Sequence, residues 1–325
     1  MKFTTFSSIF NPLYVLVAGT LGGVLVWAMF FWNYPKTGDT VGQAFVAVPA
    51  FLVWVFLFMV LACLNTIFIL PAWGILFWLV RSRTRRQSAI RRFRMILTLL
   101  FEAAILTVVV YLLLGFISSL QIGFRADLPQ GHSQRMLIMY VYVFLTVLPA
   151  LLGMLLIHAA AQDLSAKIQA AGQDEGKLFP LTNEILTYRS LLQSYLLITG
   201  VILSMIPIAT SGLRAILIAV NAKNEQLFPI TDVIIYGLVF TVILLLIYAP
   251  THLALTETSR KLRDGLCPLD SLDTLKADMD QRAALDDLLQ TNIGIAENLK
   301  AGVATLSPLV TSLIVSLLGI NIKPI

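Results

Sequence analysis

The chain has 325 residues, 58% of them hydrophobic and 13% charged, with a mean hydropathy of +0.85. Soluble domains carry about 25% charged residues, so a soluble globular protein is excluded and a multi-pass membrane protein is expected. The pI near 9.2 is no nucleic-acid signal, because the basic residues lie mostly in loops beside apolar runs, where orientation and anionic lipid headgroups explain them.

The first apolar run, 12–33, is too long for an ordinary cleaved signal peptide and reads as a retained span. Gly19 and Gly23 within it have the GxxxG spacing that lets helices approach closely, most simply inside the same chain. The second run, 43–80, has 38 nearly uncharged residues. As one helix it would be about 57 Å long, against a hydrocarbon core of about 30 Å. It is therefore one long helix kinked near Pro49 or Pro71, or two spans.

Seven arginines follow within fourteen residues, Arg81 to Arg94, including Arg81, Arg83, Arg85, Arg86, Arg91 and Arg92. Basic residues in short loops beside spans stay cytoplasmic, and this segment is also expected to meet anionic headgroups. Further spans are predicted over 95–117, 137–161, 190–220 and 230–256. With 43–80 crossing once and the N-terminus inside, segments 1–11, 81–94, 162–189 and 257–300 are cytoplasmic and hold 17 Lys and Arg, against 5 in the opposite loops. The expected fold is therefore all-α: a polytopic transmembrane helical bundle of about six spans with a cytoplasmic N-terminus. A bacterial cytoplasmic (inner) membrane is the expected location, and a homo-oligomer is compatible with such a bundle.

Glu102 is the one acidic residue deep in a predicted span, where a charge is costly unless paired, protonated or facing water. Sliding the chain by 94 residues aligns His158, Asp163, Ser165 and Lys167 with His252, Glu257, Ser259 and Lys261, and Tyr142 with Tyr236. The match suggests a duplicated hairpin, spans three and four repeated as five and six, a device of several transporter folds. It places His158 and His252 at similar depths near the cytoplasmic face. They serve either as a proton relay with Glu102 or as interfacial anchors.

Segment 169–183 reads as a polar, glycine-bearing loop. Beyond the bundle (1–256), the stretch 257–300 forms a cytoplasmic, acidic, amphipathic helical unit. Six aspartates fall within 270–287, among them Asp278, Asp280, Asp286 and Asp287. They predict a dock against the arginine loop, a surface for a cytoplasmic partner, or a solvated face. The last part, 301–325, is apolar, but Pro308 interrupts it, and Ser307 is placed to cap a fresh, short helix. A re-entrant or interfacial element follows. Thr305, Ser312 and Ser316 share one face, as small hydroxyls for close packing or as the lining of a gate.

No phosphate-binding, nucleophile-elbow, zinc or dinucleotide motif occurs, and no cofactor or metal is called. Cys63 and Cys267 are too far apart in the scheme to pair. The function expected is a channel- or transporter-like bundle for a small ion or solute. The alternative is a membrane scaffold or sensor that recruits a partner through the arginine loop and acidic tail. An intramembrane enzyme acting on lipid headgroups ranks third.

Overall fold

The computed structural model describes residues 11–31, 38–84, 104, 128–268, 275–289, 291 and 295–321. Every regular element among them is helical: α1 (Pro12–Phe31), α2 (Thr40–Ala47), α3 (Pro49–Thr84), α4 (His132–Ala171), α5 (Glu175–Val220), α6 (Asn224–Leu227), α7 (Ile230–Leu266), α8 (Leu275–Leu289) and α9 (Ile295–Asn321). Five runs are long and apolar enough to cross a membrane: α1, α3, α4, α5 and Asn224–Leu266. They coincide with five of the six expected spans. The remaining one, 95–117, lies outside the described residues except for residue 104.

The run at 43–80 divides at its start. Asp39 caps α2 by accepting from the Gly42 N–H at 2.8 Å. Val48 is extended (ψ 133°), as a residue before proline tends to be, and Pro49 opens α3 at the position where its missing N–H costs nothing. From there α3 continues through Pro71 to Thr84 without a turn. The long run is thus one helix, broken at Pro49 and not at Pro71.

Neighbour contacts fix the directions. Trp54 stacks on His132 and the Asn65 side chain donates to Tyr142 O at 2.7 Å, so α3 and α4 run parallel. Thr251 and Thr258 of α7 donate to Met154 O and Ala161 O of α4, so these two are parallel as well. Helix α5 returns between them, with Tyr195 against Gly153 and Arg189 bonded to Ser259. All of these place Arg81 and the C-terminal ends of α4 and α7 at one end of the bundle, the arginine end, and His132, Val220 and Ile230 at the far end.

The close approach of α1 to α3 is at Gly22, where an added Cβ would lie 2.6 Å from Ala62 O. Ala18, Gly22, Val26 and Phe30 form the buried seam. Beside it Cys63 Sγ donates to Gly19 O at 2.9 Å, while an added Cβ would find open space at Gly19 and only Cys63 Sγ, at 4.0 Å, at Gly23. A glycine spacing alone does not say which face is turned inward, and the buried face here is one residue away. Gly22→Leu is expected to cost about 1–3 kcal/mol through overpacking, and Gly19→Leu within about 0.5 kcal/mol. Detergent titration of both purified variants measures the difference.

Two expectations about connections are corrected. The loop 169–183 shrinks to a turn. Gly172, at φ +61°, ends α4, and α5 begins at Glu175. Lys177 pairs with Asp174 at 2.7 Å, and this hydrogen bond holds the Asp174 carboxyl below its ordinary range. In the C-terminal part, Pro308 lies inside a continuous helix and starts no fresh one. Its missing N–H orphans Ala304 O, which the Ser307 hydroxyl satisfies at 2.7 Å. The Leu309 N–H donates to Thr241 Oγ1 on α7 at 3.1 Å.

Helix α9 runs lengthwise beside α5 and α7. A Cβ at Gly200 would lie 2.8 Å from Ala304 O, and one at Gly237 would lie 2.6 Å from Pro308 O. Thr305, Ser312 and Ser316 are buried in this seam. Ser312 and Ser316 donate to carbonyls of their own helix, which is the packing role and not a water-lined one. Gly237→Val is expected to pry α9 from α7, with a loss of about 1–3 kcal/mol. The same detergent titration reads it.

Candidate functional site

The paired histidines are where the sequence echo puts them, but they do not meet. Contacts between α4 and α7 pair Met154 with Thr251, Ala161 with Thr258 and Ser165 with Lys261, an offset of 96–97 against the echo's 94. His158 and His252 are therefore about one helical turn, or about 4.5 Å, apart in depth. His158 Nε2 bonds its own-helix neighbour Gln162 at 3.0 Å. His252 stacks on Tyr248, with ring centroids 5.5 Å apart. No hydrogen bond or ring contact joins the two histidines among the described residues, and Glu102 lies outside those residues.

The echoed polar positions stitch helices together instead. Lys261 donates to Ser165 Oγ at 3.1 Å and pairs with Glu257 at 2.8 Å. Ser259 takes a hydrogen bond from Arg189 Nη2 at 3.1 Å. Arg189 is a residue the sequence reading missed, because it sits one position before the predicted start of its span and counts there as a cytoplasmic charge. It is only 7% exposed, and its charge reaches both Tyr248 and His252. Next to this band Tyr195 fills the notch left by Gly153, and its hydroxyl is buried without a hydrogen bond. The described interior is packed shut at this level.

Helix α8 covers the arginine end. Arg263, in the last turn of α7, forms a two-pronged salt bridge to Asp286 at 2.9 and 3.0 Å, and Thr291 bonds the same carboxylate. Arg282 of α8 returns the contact, donating to Cys267 O at 2.8 Å and pairing with Asp264 at 3.3 Å. Leu289 enters a small core with Leu164, Ile168, Leu178, Ile185 and Leu262.

The acidic helix docks through Arg263. Arg81 is exposed, no side chain is described at Arg83, and Arg85, Arg86, Arg91 and Arg92 lie outside the described residues. Asp280 and Asp287 face outward, and the Asp278 side chain is not described. Among the described residues neither Cys63 nor Cys267 forms a disulfide.

The far end is different. Between α3, α4 and α5 lies a cavity of about 350 Å³. Trp54, Phe58 and Leu61 lie along α3. Met136, Met139 and Tyr140 come from α4, and Ile206, Ala209 and Thr210 from α5, with His132 and Ser133 near the mouth. His132 sits between Trp54, with centroids 5.7 Å apart and stacked, and Phe45, at 5.6 Å and edge-on.

The charges at this end point elsewhere. Asp39 accepts from Gly42 N and Gln130 N, and Arg135 donates to Met29 O and Gly131 O. Ligand cavities of about 300–1,000 Å³ are mostly apolar with a few placed polar groups, and this one fits that description. The sequence shows Trp54 as one more apolar position and His132 and Ser133 as loop residues, so nothing in it groups them.

Among the described residues no three His, Cys, Asp or Glu side chains come together to hold a metal. No protein-family model, curated protein or solved structure matches the chain.

Proposed function

We propose that the chain is a transporter-like membrane bundle that takes a small solute into the cavity at its far end. The observation that carries this is the contrast between the two ends. The far end holds a cavity of about 350 Å³ whose α3 wall is Trp54, Phe58 and Leu61. At the arginine end, among the described residues, Tyr195 packs into the notch at Gly153 and α8 is held on Arg263. A bundle open at one end and closed at the other corresponds to one state of an alternating-access carrier. The concentration of Lys and Arg at the arginine end puts that end in the cytoplasm, so the cavity faces outward, in a bacterial inner membrane. The parallel run of α4 and α7 supports the duplication reading, and α9, antiparallel to α7 along its length, adds a further crossing.

The test is a flux screen. Proteoliposomes are incubated with a mixed extract of small metabolites, and their contents are compared between the wild type and Met136→Trp, which fills the cavity. At least one solute should accumulate in the wild type alone. Contents equal to those of empty liposomes in both preparations would end the reading.

A second reading, a scaffold for a cytoplasmic partner, has one observation in its favour. The outward face of α8 exposes Met279 (58%) and Leu288 (52%) beside Asp280 and Asp287. Capture of a basic helical partner that is lost on deleting 265–300 would favour it.

A further inference from the structure

The prolines inside the bundle separate a fixed part from a part that bends, and as the moving part of a carrier this rests on the transporter reading. A proline within a helix removes the N–H that the carbonyl four residues earlier would accept. In lipid that carbonyl needs another donor. Where a neighbouring helix supplies it, the two helices are tied at that level.

Pro71 of α3 leaves Ile67 O, and Tyr14 of α1 donates its hydroxyl to that carbonyl at 2.8 Å. Pro149 of α4 leaves Leu145 O, and the Trp73 indole N–H of α3 donates to it at 2.9 Å. The seam between α3 and α4 carries two more bonds, Asn65 to Tyr142 O at 2.7 Å and Thr66 with the Tyr142 hydroxyl. Helices α1, α3 and α4 are thus joined at the very points where proline weakens them.

Helix α5 is built differently. Pro207 leaves Leu203 O, and among the described residues no side chain donates to it. Ser204 and Thr210 turn their hydroxyls to carbonyls of α5 itself, Gly200 O at 2.6 Å and Ile206 O at 2.8 Å, a pattern that often bends helices. The α5 wall of the cavity is Ile206, Ala209, Thr210 and Leu213, so it begins at this proline. On the arginine side of Pro207 the helix is held, by the Ser307 hydroxyl on Gly200 O at 3.2 Å and by Tyr195 in the Gly153 notch. Beyond Pro207 its contact with α3 is apolar, Gly212 against the Trp54 ring. Pro250 of α7 leaves Leu246 O, also without a described side-chain donor, on a helix that gives the described cavity wall no residue.

We infer that α5 bends at Pro207 and swings residues 208–220 against a fixed block of α1, α3 and α4. Tyr14 and Trp73 hold that block by standing in for the missing proline N–H groups. A change of bend of about 20° would move Ala219 sideways by about 6 Å, a distance comparable with the width of the cavity.

Spin-label distances on the full chain in nanodiscs test the hinge, in a background with Cys63→Ser and Cys267→Ser. Leu137→Cys on α4 with Ala219→Cys on α5, both exposed positions, reports on the hinge. Val24→Cys on α1 with Leu137→Cys reports on the block. The first pair should show two populations about 6 Å apart. They should merge into one in Pro207→Ala, which returns an N–H to Leu203 O. The second pair should show one narrow population that broadens in Trp73→Phe. In detergent titration Trp73→Phe should lower the midpoint, and clearly less so in a Pro149→Ala background, where Leu145 O regains a donor from its own helix.

A first-pair distribution as narrow as the second, or one that Pro207→Ala leaves unchanged, would overturn the hinge. Equal losses from Trp73→Phe with and without Pro149 would overturn the latch. Flux that persists in the metabolite screen while the distances fail removes this inference alone. Distances as expected with no flux remove the transporter reading alone.

Discussion

Gly153→Ala should be among the most damaging single-methyl additions in this protein. A Cβ there runs into the ring of Tyr195, which is fully buried against α4, so neither partner has room to move. Overpacking of this kind costs about 1–3 kcal/mol, and a rigid aromatic ring puts this case at the upper end. Tyr195→Leu alone also destabilises, because it leaves a void. The two changes are coupled, since the smaller side chain accepts the methyl. Detergent titration of the four proteins should show the double variant more stable than the sum of the singles, by about 1–3 kcal/mol. Strict additivity would mean that α4 and α5 do not lock at this point.

The second large effect is at the arginine end. Arg263→Ala strips the two-pronged partner from Asp286, whose carboxylate is 9% exposed. Removing one member of a buried pair costs about 3–5 kcal/mol. Arg263 is 19% exposed and water can reach part of the site, so about 3 kcal/mol is the expectation. At about 1.4 kcal/mol per factor of ten, amide exchange in 275–289 should speed up about 100-fold, while exchange in α4 and α7 above Ser259 stays unchanged. Exchanging the charges, with Arg263→Asp and Asp286→Arg together, should recover part of the protection. Unchanged exchange in Arg263→Ala would show that α8 is held by Leu289 and its apolar neighbours alone.

How much of this was legible in the residues depends on the kind of signal. Apolar length gives spans directly, and five of the six expected ones are helices. Charge arithmetic preferred one passage for 43–80, and α3 is indeed continuous from Pro49. Pro308 misled, because proline was weighed without the Ser307 hydroxyl that covers the orphaned carbonyl of Ala304, a compensation visible only once the helix is built. Gly22, where α1 comes closest to α3, was not singled out, because every face of α1 is apolar and periodicity gives no direction. Arg189 was hidden because the expected span began at 190, whereas its helix begins at Glu175.

The site was the least legible part. The echo drew attention to His158 and His252, yet each is bonded or stacked within its own helix, and the echoed Ser165, Ser259 and Lys261 are what link helices. The far-end cavity draws on Trp54, Ser133 and Thr210, which come from three segments with no shared pattern, and only tertiary packing brings them to one place.

In the proposed arrangement the two ends of the bundle lie on opposite sides of a membrane, with the cavity open to the side away from Arg81. In a background with Cys63→Ser and Cys267→Ser, single cysteines at Ser133 and Asp287, both exposed, can be labelled in intact cells with a membrane-impermeant maleimide. Ser133→Cys should label at once, and Asp287→Cys only after permeabilisation. Labelling of both from the same side, or of Asp287→Cys alone in intact cells, would contradict the account.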